Sequence, residues 1–138
     1  MVAGATLTVP YRDLFGNGSR PYLYLIVTGV NQASGPIPGI VDSGADQFSL
    51  PDGFAPLMGY ADADLEEIDG TGADGGAKWR RAKQPSTAIV PEFPAAVISF
   101  VPIFTPGDMA LWGRHDFFAS FAVSFNEPGQ TFDIQPWT

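Results

Sequence analysis

Asp42-Ser43-Gly44 closes an apolar run, Ile37-Pro38-Gly39-Ile40-Val41, and sets a carboxylate, a hydroxyl and a glycine side by side. A carboxylate at the tip of a strand suits acid–base chemistry, because it takes or gives a proton at one fixed place. Gly44, without a side chain, lets other groups come close. Chemistry by two carboxylates needs a second such acid, and the tripeptide occurs once. Taken alone, Asp-Ser-Gly is also good turn chemistry.

The elements that must hold this tripeptide are short and mostly extended. Thr6–Val9 is β-prone and ends at Pro10. Tyr22–Val27 is nearly continuous in apolar residues, which predicts a strand buried on both faces. Thr28–Gly35 reads as a hairpin loop, and Ile37–Val41 as the returning strand that delivers Asp42. Within Phe48–Tyr60, Leu50, Phe54, Leu57 and Met58 lie near helical spacing behind Pro51-Asp52, which predicts one short helix. Asp62–Asp69 is acidic and reads as a solvated loop. Gly70, Gly72, Gly75 and Gly76 then predict a hairpin tip between Ile68 and Trp79, since glycine supplies the positive φ of tight turns.

Trp79–Val90 and Ala95–Val101 read as strands separated by Pro91 and Pro94. Met109–Trp112 is a short strand ending at Gly113, followed by a helical turn or two over Arg114–Ser120. Ala122–Phe125 and Thr131–Ile134 form a last hairpin around Asn126-Glu127-Pro128-Gly129. Phe117, Phe118, Phe121 and Phe125 are expected in the core. The sum is one mostly-β domain, residues 1–138, with two short helices.

Composition removes several function classes. The chain has no cysteine, so disulfides, thiolate catalysis and thiolate metal sites are excluded. One histidine makes a His-rich zinc site a poor fit, and no metal or cofactor is expected. A net charge of −8 argues against a nucleic-acid partner. The basic run Lys78, Arg80, Arg81 and Lys83 reads as a solvated face. No stretch approaches the ~18 apolar residues of a membrane span. Met1-Val2-Ala3-Gly4 lacks the basic and apolar regions of a signal peptide, so a cytoplasmic protein is expected.

Two apolar segments ending in glycine stand out together: Ile40–Asp46 and Ala110-Leu111-Trp112-Gly113-Arg114-His115-Asp116. In combination they resemble the retroviral-type, retropepsin-like aspartic proteases, including single-lobed cellular relatives. The resemblance implies a small closed β-barrel that works as a homodimer on a polypeptide substrate. It implies that Asp42 is the catalytic aspartate. Ser43, Gly44 and Ala45 would then support the active-site loop, with the Ser43 hydroxyl bonding across the subunit interface. Asp46 and Arg114 would form an ion pair tying that loop to the C-terminal helix. The glycine hairpin (Gly70, Gly72, Gly75, Gly76) would be the flap. Thr6–Val9 and Phe132–Gln135 would be terminal strands able to interleave between subunits. Two departures stand against the pattern: Trp112 is bulkier than the usual aliphatic residue, and an acid follows Arg114 one residue late, at Asp116.

The function implied is an aspartic endopeptidase. Water would be activated between two Asp42 carboxylates and attack peptide bonds. The alternative is a retropepsin-like module that binds peptides or dimerises without turnover. A third reading is an unrelated β-sandwich or barrel in which Asp42 is only a turn residue.

Overall fold

A computed structural model of the chain describes residues 5–30, 32–68 and 78–137. Strand β1 spans Leu7–Pro10, β2 Tyr22–Thr28 and β3 Ala33–Val41. Next come β4 (Ser49–Pro51), a one-turn helix α1 (Phe54–Leu57) and a 3₁₀ turn over Asp62–Asp64. Short strands β5 (Leu65–Ile68), β6 (Trp79–Ala82), β7 (Ser86–Ile89), β8 (Ile98–Phe100), β9 (Ile103–Thr105) and β10 (Ala110–Trp112) follow. A π turn over Arg114–Phe118 leads to the hairpin of β11 (Phe121–Asn126) and β12 (Thr131–Pro136).

Alternation decides which faces are buried. In β3, Ile37, Gly39 and Val41 point inward and their neighbours do not, the period-two signature of a strand with one covered face. In β2, Leu23, Leu25 and Val27 are buried, but Tyr24 is 41% exposed. The expectation that β2 is buried on both faces is therefore corrected. Its apolar run reflects β-branched and aromatic residues that suit a strand on either side. The acidic segment Asp62–Asp69, expected to be a loop, instead supplies the 3₁₀ turn and β5. Glu66 and Glu67 there lie opposite Arg81 and Arg80 across the strands. The expected helix before Tyr60 shrinks to α1, because Ser49–Pro51 is drawn into the sheet beside β9 and β10.

β1, β12 and β11 form one sheet in that order. The other nine strands form a second, ordered β5-β6-β9-β4-β10-β3-β2-β7-β8. The closed barrel expected from the resemblance is not formed among the described residues, because β5 and β8 end the large sheet there. Closure needs the end strands to pair. Here β8 has only three residues, with Pro102 close behind, and β5 presents Glu66 and Glu67.

One core joins the two sheets, with Phe48, Leu50, Phe104, Trp112, Phe117, Phe121, Phe132 and Ile134 all fully buried. Phe125 departs from expectation: it is 41% exposed near the end of β11. The centre of the core is Trp112. Its indole N–H donates to the Leu23 carbonyl at 2.9 Å, and its ring lies 5.0 Å from that of Phe48. The ring occupies space left by a missing side chain, since a Cβ on Gly39 would fall 2.6 Å from Trp112 Cζ2. That vacancy is how β10 takes a tryptophan beside β3.

Candidate active site

β3 runs parallel to β10, with Val41 beside Trp112, and the pairing carries Asp42 to the edge of the core. The Asp42 N–H donates to the Trp112 carbonyl at 3.1 Å, one step beyond the last paired residues. The chain then turns sharply, and the Ala45 N–H donates back to the Asp42 carbonyl at 3.3 Å. The Gly44 N–H donates to Asp42 Oδ1 at 2.8 Å, so the turn orients the carboxylate. A Cβ on Gly44 would stand 3.2 Å from that oxygen, tighter than about nine in ten such contacts. Asp42 is half-buried, whereas Ser43 and Gly44 are exposed. The Ser43 hydroxyl has no partner among the described residues.

Behind this turn lies the chain after β10. Gly113 sits against the backbone of Gln47, where a Cβ would fall 2.5 Å from the Gln47 carbonyl oxygen. The close approach lets the Arg114 N–H donate to the Ala45 carbonyl and the His115 N–H to the Asp46 carbonyl, both at 2.8 Å. The expected ion pair is corrected here. Among the described residues no salt bridge joins Asp46 and Arg114, and both side chains are exposed. Backbone bonds make the connection instead, and they need no particular side chains.

Asp116 supplies the side-chain link. Its Oδ2 accepts the N–H of Phe48, a fully buried residue, at 3.3 Å. The π turn winds more residues into each hydrogen-bonded turn than an α-helix, and here it brings the acid, one position late in sequence, over the loop. Burial pushes the Asp116 carboxyl above the usual carboxylate range, partly offset by the Phe48 bond and the nearby His115. The sequence signal was present, as the acid closest after Arg114, but its target Phe48 was not evident from spacing.

A pH dependence follows from that raised value. The native state holds the Asp116 proton more tightly than the unfolded chain, so this group favours folding at low pH. Its contribution falls as pH rises from the ordinary carboxylate value through the raised one. Asp116→Asn keeps an acceptor for Phe48 and cannot ionise. It should melt at or above wild type at neutral pH, with the gap closing as pH falls toward about 3. Asp116→Ala should cost about 1 kcal/mol at low pH, because the Phe48 N–H loses its acceptor, and less at neutral pH, where wild type has lost part of this group's contribution. Thermal melts of the three proteins across this range check both statements.

A cavity of about 320 Å³ opens beside the turn, bounded by residues 44–49, Trp79, Ile103 and Leu111. Trp79 and Ile103 were not picked out as site residues from sequence, because each comes from a strand remote from Asp42 along the chain. The indole nitrogen of Trp79 is buried without a partner. Gly70, Gly72, Gly75 and Gly76, the expected flap glycines, lie outside the described residues. Among the described residues no group of acids or histidine is placed to hold a metal ion.

The folded chain is similar to known aspartic proteases. A retropepsin-like aspartic protease from Rickettsia conorii superposes with a TM-score of 0.66 at 13% identity, over 96% of this chain and 90% of that one. EIAV protease complexed with the inhibitor HBY-793 superposes with a TM-score of 0.50 at 17% identity, over 75% of this chain and 89% of that one. No protein-family model matches the sequence, and no curated protein matches it. The protein has a retropepsin-like fold. In that fold, this chain's single Asp-Ser-Gly turn lies at the end of β3, backed by β10 and the π turn.

Proposed function

We propose that the protein is an aspartic endopeptidase in which two copies of the chain each contribute Asp42. One observation carries the reading: Asp42 stands half-buried at a strand end, its carboxylate oriented by the Gly44 N–H and its backbone tied to Trp112. A twofold axis beside such a turn brings the same residue to itself. Two carboxylates about 3 Å apart cannot both ionise, so the pair shares one proton. The ionised member removes a proton from water, and the protonated member hydrogen-bonds the peptide carbonyl as the water attacks. The pair titrates as a unit, and activity falls where both are charged or both are neutral.

The remaining residues take supporting roles in this reading. Ser43, exposed and without a partner among the described residues, would bond across the axis. Gly44 and Ala45 keep the turn tight, and Arg114 and Asp46 anchor it through their backbones. Polypeptide substrate would lie extended across the turn, with an apolar side chain in the cavity formed by Ala45, Phe48, Ile103 and Leu111.

The test is second-order behaviour. Cleavage of a peptide library per chain should rise with protein concentration and level off where sedimentation shows the dimer filled. A per-chain rate that stays constant while the protein sediments as a monomer would remove the basis of the two-carboxylate reading. The peptide-binding alternative gives the same dimerisation with no cleavage at any concentration.

A further inference from the structure

The three tryptophans of the chain differ in what their indole nitrogens do. Trp112 donates to the Leu23 carbonyl at 2.9 Å, and Trp137 to the Phe118 carbonyl at 3.0 Å. The Trp79 nitrogen is buried and has no partner, and no other buried side-chain nitrogen or oxygen among the described residues shares that state. An indole N–H can only donate. Left unpaired and away from water, such a donor costs stability. It calls for an acceptor that the fold does not itself provide.

Its place says where that acceptor would come from. Trp79 opens β6 opposite Ile68 of β5, and the next two residues pair with Phe104 and Ile103 of β9. The half-buried Trp79 side chain borders the cavity beside the Asp42 turn. That cavity begins at Gly44, whose N–H holds Asp42 Oδ1. A side chain seated in it therefore belongs to a chain passing over the carboxylate. Phe48, Ile103 and Leu111 give it apolar walls. Asp46 borders it too, exposed, with no basic partner among the described residues. Beyond the apolar walls, the cavity thus offers a donor lacking an acceptor and a carboxylate lacking a cation.

We infer that Trp79 sets specificity by donating its indole N–H to a carboxamide, the side-chain end of glutamine or asparagine, on the substrate. The inference rests on the peptidase reading, which supplies the polypeptide, and it refines what enters the cavity: an apolar stem with a polar tip. A carboxamide carries an acceptor and two donors at one neutral tip. On binding, the half-buried ring tilts to present its N–H to the amide oxygen, and the amide NH₂ donates to Asp46. Glutamate has the acceptor but meets the Asp46 charge. Lysine suits Asp46 but has no acceptor for the indole. Leucine fits the walls and leaves both groups unpaired. A site built around a hydrogen bond rejects the analogue lacking it more sharply than an apolar pocket separates side chains by size.

The test uses three peptide pools that are identical except that Gln in the first is Leu in the second and Glu in the third. Wild type should cut the Gln pool with a kcat/KM roughly tenfold above the Leu pool, and should disfavour the Glu pool. Trp79→Phe keeps a ring and loses the N–H, so it should bring Gln and Leu to about the same rate. Asp46→Asn should raise Glu relative to Gln. These are ratios within one protein, so a variant that merely loosens the fold lowers all pools and leaves them unchanged. A wild type that cuts Gln and Leu pools equally, or a Trp79→Phe that keeps the preference, overturns the inference and leaves the peptidase reading standing. If no pool is cut, fluorescence anisotropy of the labelled pools decides. Tighter binding of Gln than Leu, lost in Trp79→Phe, upholds the role of Trp79 and sinks turnover, whereas no binding of any pool overturns both.

Discussion

Asp42→Asn should abolish peptide cleavage, lowering the rate by roughly 10³-fold or more, with fold and dimer unchanged. The substitution is chosen because it separates the two meanings of Asp-Ser-Gly. Asparagine makes the same turn as aspartate: its side-chain oxygen accepts the Gly44 N–H in the place of Asp42 Oδ1, now 2.8 Å away. If Asp42 were only a turn residue, the variant would be silent in every assay. If it is half of a carboxylate pair, replacing it in both copies removes the base that deprotonates water and the acid that binds the carbonyl. The variant also tests how the halves are divided. A large excess of Asp42→Asn chain should draw wild-type chains into mixed dimers with one carboxylate and depress wild-type cleavage. Equal processing of a peptide library by both proteins, from acidic to neutral pH, would end the protease reading. Loss of cleavage in the variant with no effect of the excess chain would mean that one chain carries a complete site.

How much of this site is legible in the sequence depends on whether its parts are local. Asp42, Ser43 and Gly44 are adjacent, and their position at a strand end follows from the apolar alternation of Ile37, Gly39 and Val41. Trp112-Gly113 could be matched to them only through the resemblance, and the structure gives the physical reason for the match: Gly113 touches the Gln47 backbone. The link expected between Asp46 and Arg114 runs through their main chains, which no side-chain pattern encodes. Asp116 was visible as an acid out of step, but its role depends on the π turn, a backbone choice made by packing. β9 was missed because Ile103–Thr105 sits between Pro102 and Pro106, two residues that usually stop a strand. It pairs nonetheless, parallel to β4 and antiparallel to β6. Phe125 was assigned to the core from its type, whereas its place near the end of an edge strand leaves it half covered. Closure of the large sheet failed for a similar reason, since the resemblance describes an architecture and the lengths of β5 and β8 decide its edges.

Trp112→Ala should cost about 3–5 kcal/mol, a large part of the ~5–15 kcal/mol that holds an ordinary domain folded. The side chain is fully buried, packs on Phe48 and donates to the Leu23 carbonyl, so its loss leaves a cavity and removes that bond. Trp112→Phe should cost less, because a ring remains against Phe48. The decisive comparison adds Gly39→Ala. In the wild-type background the new Cβ meets the indole at 2.6 Å, and the ring is held by its bond to Leu23, so overpacking should cost about 1–3 kcal/mol. Beside Trp112→Phe the same Cβ enters space the smaller ring has vacated, so its cost should shrink or change sign. Urea denaturation of the four proteins measures this coupling as a double-mutant cycle. The cycle bears on the site as well as on the core, since the Trp112 carbonyl holds the Asp42 N–H and its ring fixes Phe48, whose own N–H is held by Asp116. A loosened indole should therefore weaken the Asp42 turn from two directions. If the two substitutions simply add, the indole does not depend on the gap at Gly39, and the support of the turn must be sought in the Gly113–Gln47 contact instead.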